Sequence, residues 1–395
     1  MRLVALVTGV GIAQIASWGS LYYAIGVLGK PMREELGVTE LFVFTAFTAG
    51  LLVSGTLAPW IGRSIDRLGG RRVLAWGSVA SAAALAILAV APNAAVMTLG
   101  WLLAGAAMSA SLYDPAFATL SQHSGTHYRR AVTSLTLLGG FASTVAWPLS
   151  HYLLEAHGWR WTLGAYAVFQ LFACLPIHLA VIPKGPHSSH RAAEASDARS
   201  PAFAQPRLPI LRFAFAVAAF ITGLVGVHMV GLLDNAGLTA AEAVTIAMLM
   251  GPMQVAGRIV ELAFSRHVRA VTAGLVAFAL VGSSVAVLAV THGMGAMAIL
   301  FVTLYGCGNG VLTIVRGTAP VELYGREGLG ELLGYFSRAA SYAKAVAPAA
   351  WPALLALGVG HRGAVMAVAM VAFAGLAAFA FATRAREAGA ASERP

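Results

Sequence analysis

The sequence predicts an all-α membrane protein, twelve transmembrane helices in two pseudo-symmetric six-helix bundles. Three observations predict it. Hydrophobic residues make up 58% of the 395 and charged residues 11%, with a mean hydropathy of +0.77; a soluble domain carries roughly a quarter charged residues. The apolar residues gather in runs of roughly 20, the length that crosses a hydrocarbon core. A basic–acidic turn also recurs half a chain apart, as Gly62-Arg63-x-x-Asp66 and Gly257-Arg258-x-x-Glu261.

The first-half runs are 3–28, 41–61, 73–91, 94–120, 131–154 and 160–183. Those of the second half are 210–234, 240–263, 271–290, 295–317, 331–357 and 362–383. The first run follows one basic residue, Arg2, and is too long for the apolar core of a cleaved signal, so it reads as a retained span. Residues 184–209, rich in Ala, Ser, Pro and His without apolar period, read as a cytoplasmic linker. That leaves an N-terminal bundle over 1–183 and a C-terminal bundle over 210–395. With the N-terminus inside, the cytoplasmic segments hold Arg63, Arg67, Arg71, Arg72, Arg129, Arg130, the linker cations, Arg258, Arg266, Arg269, Arg316, Arg326 and the tail cations Arg384, Arg386 and Arg394. The opposite segments hold only Lys30, Arg33, Arg160 and Arg362. The bias places both termini in the cytoplasm, and the expected location is a bacterial inner membrane.

Several classes are excluded. The net charge of +10 and pI near 10.1 come from short loops, with no long basic stretch carrying aromatics for nucleic acid. Cys174 and Cys307 lie in apolar runs without metal spacing. Gly306-x-Gly308-x-Gly310 and Gly9-x-Gly11 follow no strand, so they predict close helix packing, not a nucleotide loop. No Walker motif, zinc-protease motif or nucleophile elbow occurs; no enzyme, metal or cofactor is expected.

The loop after the second run reads Gly62-Arg63-Ser64-Ile65-Asp66-Arg67-Leu68-Gly69-Gly70-Arg71-Arg72. In this position it resembles the signature of the major facilitator superfamily. The resemblance implies two six-helix repeats around a midplane site. It also implies a gate in which Asp66 and the cations Arg67, Arg71 and Arg72, turned by Gly62 and Gly69, latch helix ends in one of two states. A narrower resemblance, to monocarboxylate-transporter-like and oxalate/formate-type members, rests on Tyr128-Arg129-Arg130-Ala131, on Leu138 to Ser143, on Pro148-Leu149, on Gly158-Trp159-Arg160 and on Ser17 to Tyr23. The Gly-Pro-x-x-Gly-Gly element of many drug/proton antiporters is absent from span five, and Gln254 stands where eukaryotic monocarboxylate carriers have an acid.

Charges inside a span cost about 2.5–3.5 kcal/mol each, so each needs a reason. Lys344, mid-span eleven, calls for a wet cavity, a carboxylate or an anionic substrate; the resemblance matches it to a substrate-binding lysine. Arg338, six residues earlier, sits roughly 120° around the helix from it. Arg258 corresponds to an arginine that binds substrate carboxylate in the resembled carriers, and Glu261, one turn on, is its alternative ion-pair partner. Asp114, before Pro115, is a candidate proton site because burial favours the neutral carboxyl; the competing and preferred reading has it join the Asp66/Arg67 cluster at the cytoplasmic end. His228 and Glu261 are further proton-coupling candidates. Gln14, Ser17, Trp18 and Tyr22 share one face of span one and are expected to line a cavity, as Tyr335 and Tyr342 are beside the span-eleven cations. The expected function is secondary active transport of a small organic anion, a monocarboxylate, with protons, by a monomer in a lipid bilayer. The alternatives are export of a drug, metabolite or metalloid anion, and a non-transporting receptor or scaffold.

Overall fold

The structure, a computed structural model, describes residues 2–184, 200–291 and 294–392. The centre of the expected linker, 185–199 with Arg191 and Arg199, lies outside the described residues, as do Arg394 and the side chain of Arg386. Among the described residues every regular element is a helix. Ten helical stretches are long and apolar enough to cross a membrane. In order they begin with α1 (Arg2–Leu36), α2 (Glu40–Leu68), α3 (Gly70–Ala89) and α4 (Ala94–His123). The fifth, Gly125–Val181, runs through 57 residues, but Gly158 breaks it with φ 81° and ψ 168°, a conformation open to a residue without Cβ. It is therefore two helices, α5 (125–157) and α6 (159–181), divided where the sequence predicts a loop. Then come α7 (Leu208–Asn235), α8 (Ala241–Phe264), α9 (Ala270–Val290) and α10 (Gly295–Tyr324). A further long helix, α11 (Leu329–Ala356), carries Arg338 and Lys344, and α12 (His361–Ser392) ends the described chain.

The chain divides into two compact units, Met1–Ser200 with Gly328–Arg338, and Pro201–Glu327 with Ala339–Pro395. The unit boundary at Ser200 falls inside the segment read as linker, but the first turns of α11 cluster with the first unit.

In the first unit the helices meet through small residues. A Cβ on Gly50 of α2 would strike the Trp101 carbonyl of α4, and one on Gly105 would strike the Gly50 carbonyl, so the two backbones touch. Trp101 is buried beside them, edge-on to Phe47 at 5.2 Å between centroids. Two π-helical turns, Trp18–Tyr23 in α1 and Gln170–Cys174 in α6, are joined by the buried Gln170, whose Nε2 donates to Ser20 Oγ at 3.1 Å. Such turns insert a residue and rotate the side chains that follow. In α1 they turn Trp18, Tyr22 and Tyr23 into one aromatic group, with Trp18 5.2 Å from Tyr22 and 5.1 Å from Tyr113.

In the second unit the Gly306-x-Gly308-x-Gly310 run is a packing device. Gly306 and Gly310 lie against Met253 and Gln254 of α8, and Gly308 against Val281 and Ala277 of α9. No nucleotide loop is formed.

Backbone carbonyls freed by proline are a recurring problem in an apolar chain, because lipid offers no donor. Pro115 has no N–H for the Ser111 carbonyl, and α4 bends at Leu112 (φ −86°, ψ −160°). Gln14 of α1 supplies the missing donor, its Nε2 lying 2.7 Å from Ser111 O. Gln14, which the sequence reading places among substrate contacts, is fully buried, and its amide nitrogen donates to a helix bend. The second unit repeats the device. Pro352 leaves the Pro348 carbonyl of α11 without its donor, and His228 Nε2 of α7 donates to it at 2.9 Å. A carbonyl only accepts, so Nε2 carries the hydrogen.

This account predicts a specific non-additivity. His228→Ala should lower stability by about 1–3 kcal/mol, the loss from orphaning a buried acceptor. Pro352→Ala restores an intrahelical donor, so His228→Ala in that background should lose much less. Thermal unfolding of the four proteins in detergent reads the cycle; equal losses in both backgrounds would refute the pairing.

Candidate functional site

The geometry around the signature loop starts from a helix with no cap of its own. α11 begins at Leu329 after Gly328, whose carbonyl accepts from Leu332 N at 3.1 Å and which has no side chain to satisfy the first orphan N–H groups. Asp66, at the end of α2, supplies the cap from elsewhere in the sequence. Its Oδ1 accepts from Gly330 N and its Oδ2 from Glu331 N, each at 2.9 Å. Both bonds are charge-assisted, and the carboxylate sits at the positive end of the helix dipole.

Glycines allow that approach. A Cβ on Gly62 would strike the Gly330 carbonyl, and a Cβ on Gly334 would strike the Ala58 carbonyl. Gly330, Gly334 and Arg338, each four residues apart, therefore form one face of α11 laid on α2. Arg338 closes the face: its Nη2 donates to Thr56 O at 3.3 Å, and its guanidinium lies 5.5 Å from the Trp60 ring centroid. Arg63 pairs with the buried Glu331 at 3.2 Å. The sequence groups Arg338 with substrate contacts; the structure engages it with α2.

The turn after α2 is clamped from α4. Gly69 takes φ 82°, and a Cβ on Gly70 would strike the Thr119 side chain. Gln122 fixes both sides of the turn, accepting from Gly70 N at 3.0 Å and donating to Ile65 O at 2.9 Å. Arg71 donates through Nε and Nη2 to Leu179 O at 3.0 and 2.6 Å, capping the end of α6. Thus Asp66 bonds backbone N–H groups of α11, and Arg71 bonds a backbone carbonyl of α6.

The other candidates occupy separate places. Lys344 is half-buried on α11, and the absence of a side chain on Gly223 of α7 lets its stem lie close: a Cβ there would come within 3.1 Å of Lys344 Cγ and 3.0 Å of its carbonyl. Beside Gly223, Thr222 Oγ1 lies 2.9 Å from Asn309 Oδ1 of α10. Asn309 is a polar group that the sequence reading passed over, taking only the glycines on either side. Arg258 and Glu261 are both buried on α8, at 4% and 6% exposure. Asp114 stands in the first turn after the α4 bend, where a helix N-terminus favours negative charge. Trp18 and Tyr22 are half-buried in the aromatic group of α1, Tyr335 is half-buried and Tyr342 is 38% exposed. Among the described residues no cluster of His, Cys, Asp or Glu could hold a metal ion.

Residues 10–348 match the Major Facilitator Superfamily. The chain belongs to that superfamily. It is a multi-pass integral membrane protein of the transporter superfamily. A Bacillus subtilis (strain 168) protein named for metabolite transport, YwtG, is 30% identical over 193 residues, 46% of this chain and 40% of that protein. The chain thus matches less than half the length of that relative. Two solved structures share the fold. The superfamily transporter FucP, in its outward conformation, aligns with a TM-score of 0.77 and 9% identity over 97% of this chain and 100% of that one. The human organic anion transporter MFSD10 (TETRAN) aligns at 0.68 and 16% over 96% and 99%.

Asp66→Ala removes both acceptors for α11, whereas Asp66→Asn keeps one carbonyl oxygen. Thermal unfolding should show the alanine variant destabilised by about 2 kcal/mol or more and the asparagine variant by roughly half as much. Equal stability of wild type and alanine variant would mean that the cap contributes nothing.

Proposed function

We propose that this superfamily member is a secondary active transporter that moves a small organic anion, a monocarboxylate, with protons and by alternating access. In this reading α1 to α12 are twelve spans in two six-helix bundles, with both termini in the cytoplasm of a bacterial inner membrane. The observation that carries the reading is Lys344. A half-buried ammonium near the middle of this helix calls for water, a carboxylate or an anionic substrate. Its stem is laid along α7 by Gly223, and Thr222 and Asn309 lie at the same level.

Arg258 is the second proposed anion contact, since its fork fits a carboxylate in two parallel hydrogen bonds. The metabolite-transport name of the partial relative agrees with a small passenger. The Asp66 cap on α11 is the proposed gate, made in one state and released in the other. Proton coupling falls to Asp114, Glu261 or the Nδ1 of His228, whose Nε2 is already committed to Pro348.

Proteoliposomes loaded with labelled monocarboxylates, with and without a pH gradient, test the reading. Uptake should rise with an inward proton gradient. Lys344→Ala and Arg258→Ala should each lower it about tenfold or more, the size of a lost charge-assisted contact. Transport that survives both substitutions would remove the anion assignment, and accumulation in the opposite direction would make the protein an exporter.

A further inference from the structure

Asn309 sits on α10 between Gly308, which packs on α9, and Gly310, which packs on α8. Its own side chain is only half-buried. Its Oδ1 lies 2.9 Å from the Thr222 hydroxyl of α7, and among the described residues its Nδ2 has no hydrogen-bond partner. An asparagine that merely bridged two helices in an apolar setting would have both ends of its amide satisfied.

The hydrogens around Thr222 fix which end of that amide is left over. A hydroxyl has one hydrogen to give, and Thr222 has two acceptors in reach, Asn309 Oδ1 and Ala218 O at 2.8 Å. The Ala218 carbonyl already takes the Thr222 backbone N–H within α7, as a helix carbonyl does. The Tyr305 hydroxyl, buried one turn before Asn309, also bonds Thr222. Donation from Tyr305 to Thr222 Oγ1 and from Thr222 to Asn309 Oδ1 satisfies all three groups. The amide therefore holds its oxygen toward α7 and keeps both Nδ2 hydrogens to give.

The place of those two donors says what they meet. Thr222 is next in sequence to Gly223, the residue that lets α11 and the Lys344 stem lie close to α7. One turn along the Thr222 face, Gly226 is exposed, and a Cβ there would meet nothing within 4 Å. Asn309 and Lys344 thus approach α7 at one level from two helices, beside the space that Gly226 leaves open. With Lys344 as the carboxylate contact, an assignment taken from the function proposed above, we propose that Asn309 Nδ2 donates to an oxygen on the carbon next to that carboxylate. The substrate class is then a 2-oxo acid, whose ketone oxygen only accepts, in preference to an unsubstituted carboxylate of the same length.

Calorimetric titration of the purified full-length protein with pyruvate and, separately, with propionate tests it. Wild type should bind pyruvate about fivefold tighter, the size of one added hydrogen bond. Asn309→Leu, which keeps the volume and removes both donors, should weaken pyruvate about fivefold and propionate far less. Lys344→Ala should weaken both acids. Asn309→Ala reads the same loss if the leucine variant does not fold. Equal binding of the two acids by wild type, or a pyruvate preference that survives in Asn309→Leu, would overturn the role of Asn309 and leave the monocarboxylate reading standing. Binding of neither acid by wild type would overturn both.

Discussion

The interaction on which the first unit turns is the carboxylate of Asp66 on the second and third N–H groups of α11. A helix preceded by glycine has no side chain there to satisfy those groups, and in a membrane protein an unmet donor is expensive. The cap therefore comes from α2, and only because Gly62, Gly330 and Gly334 leave the two backbones free to touch. Glu331, Arg63 and Arg338 add charge pairing and a cation–π contact around the same seam. A carboxylate on helix N–H groups is directional and breaks as a unit, which suits an element made in one state and lost in another.

The rest of α11 follows the same demand. Pro352 removes a donor, and His228 restores one from α7; Pro115 removes a donor from α4, and Gln14 restores one from α1. Bent helices are kept in an apolar setting because another helix completes their hydrogen bonds. Polar residues in these spans thus serve the backbone before any substrate, and a buried polar side chain alone does not mark a binding site.

Much of the architecture was legible in the sequence because lipid imposes a length and a polarity on every helix. The division near Gly158 and the packing role of Gly306 to Gly310 follow from rules of local range, whereas attention to the Asp66 loop came from the family resemblance. The partners did not follow. Gln122 is an unremarkable polar residue in its own helix, and only the fold brings it to both sides of the α2–α3 turn. Gly330 and Gly334 carried a small-residue spacing that was available but was masked by the charges between and after them. Gln14 and Arg338 were read by polarity and depth, whereas their partners, a freed carbonyl and the flank of α2, are set by tertiary approach. Superfamily membership accounts for transport, but relatives this distant share the fold without fixing the substrate.

The central claim is that Asp66 caps α11 in trans. Hydrogen exchange at the amides of Gly330 and Glu331 measures it directly, comparing wild type with Asp66→Ala. The account predicts exchange at these two amides about tenfold faster or more in the variant, with α11 beyond Pro348 unchanged. Identical exchange at both amides in the two proteins would contradict it.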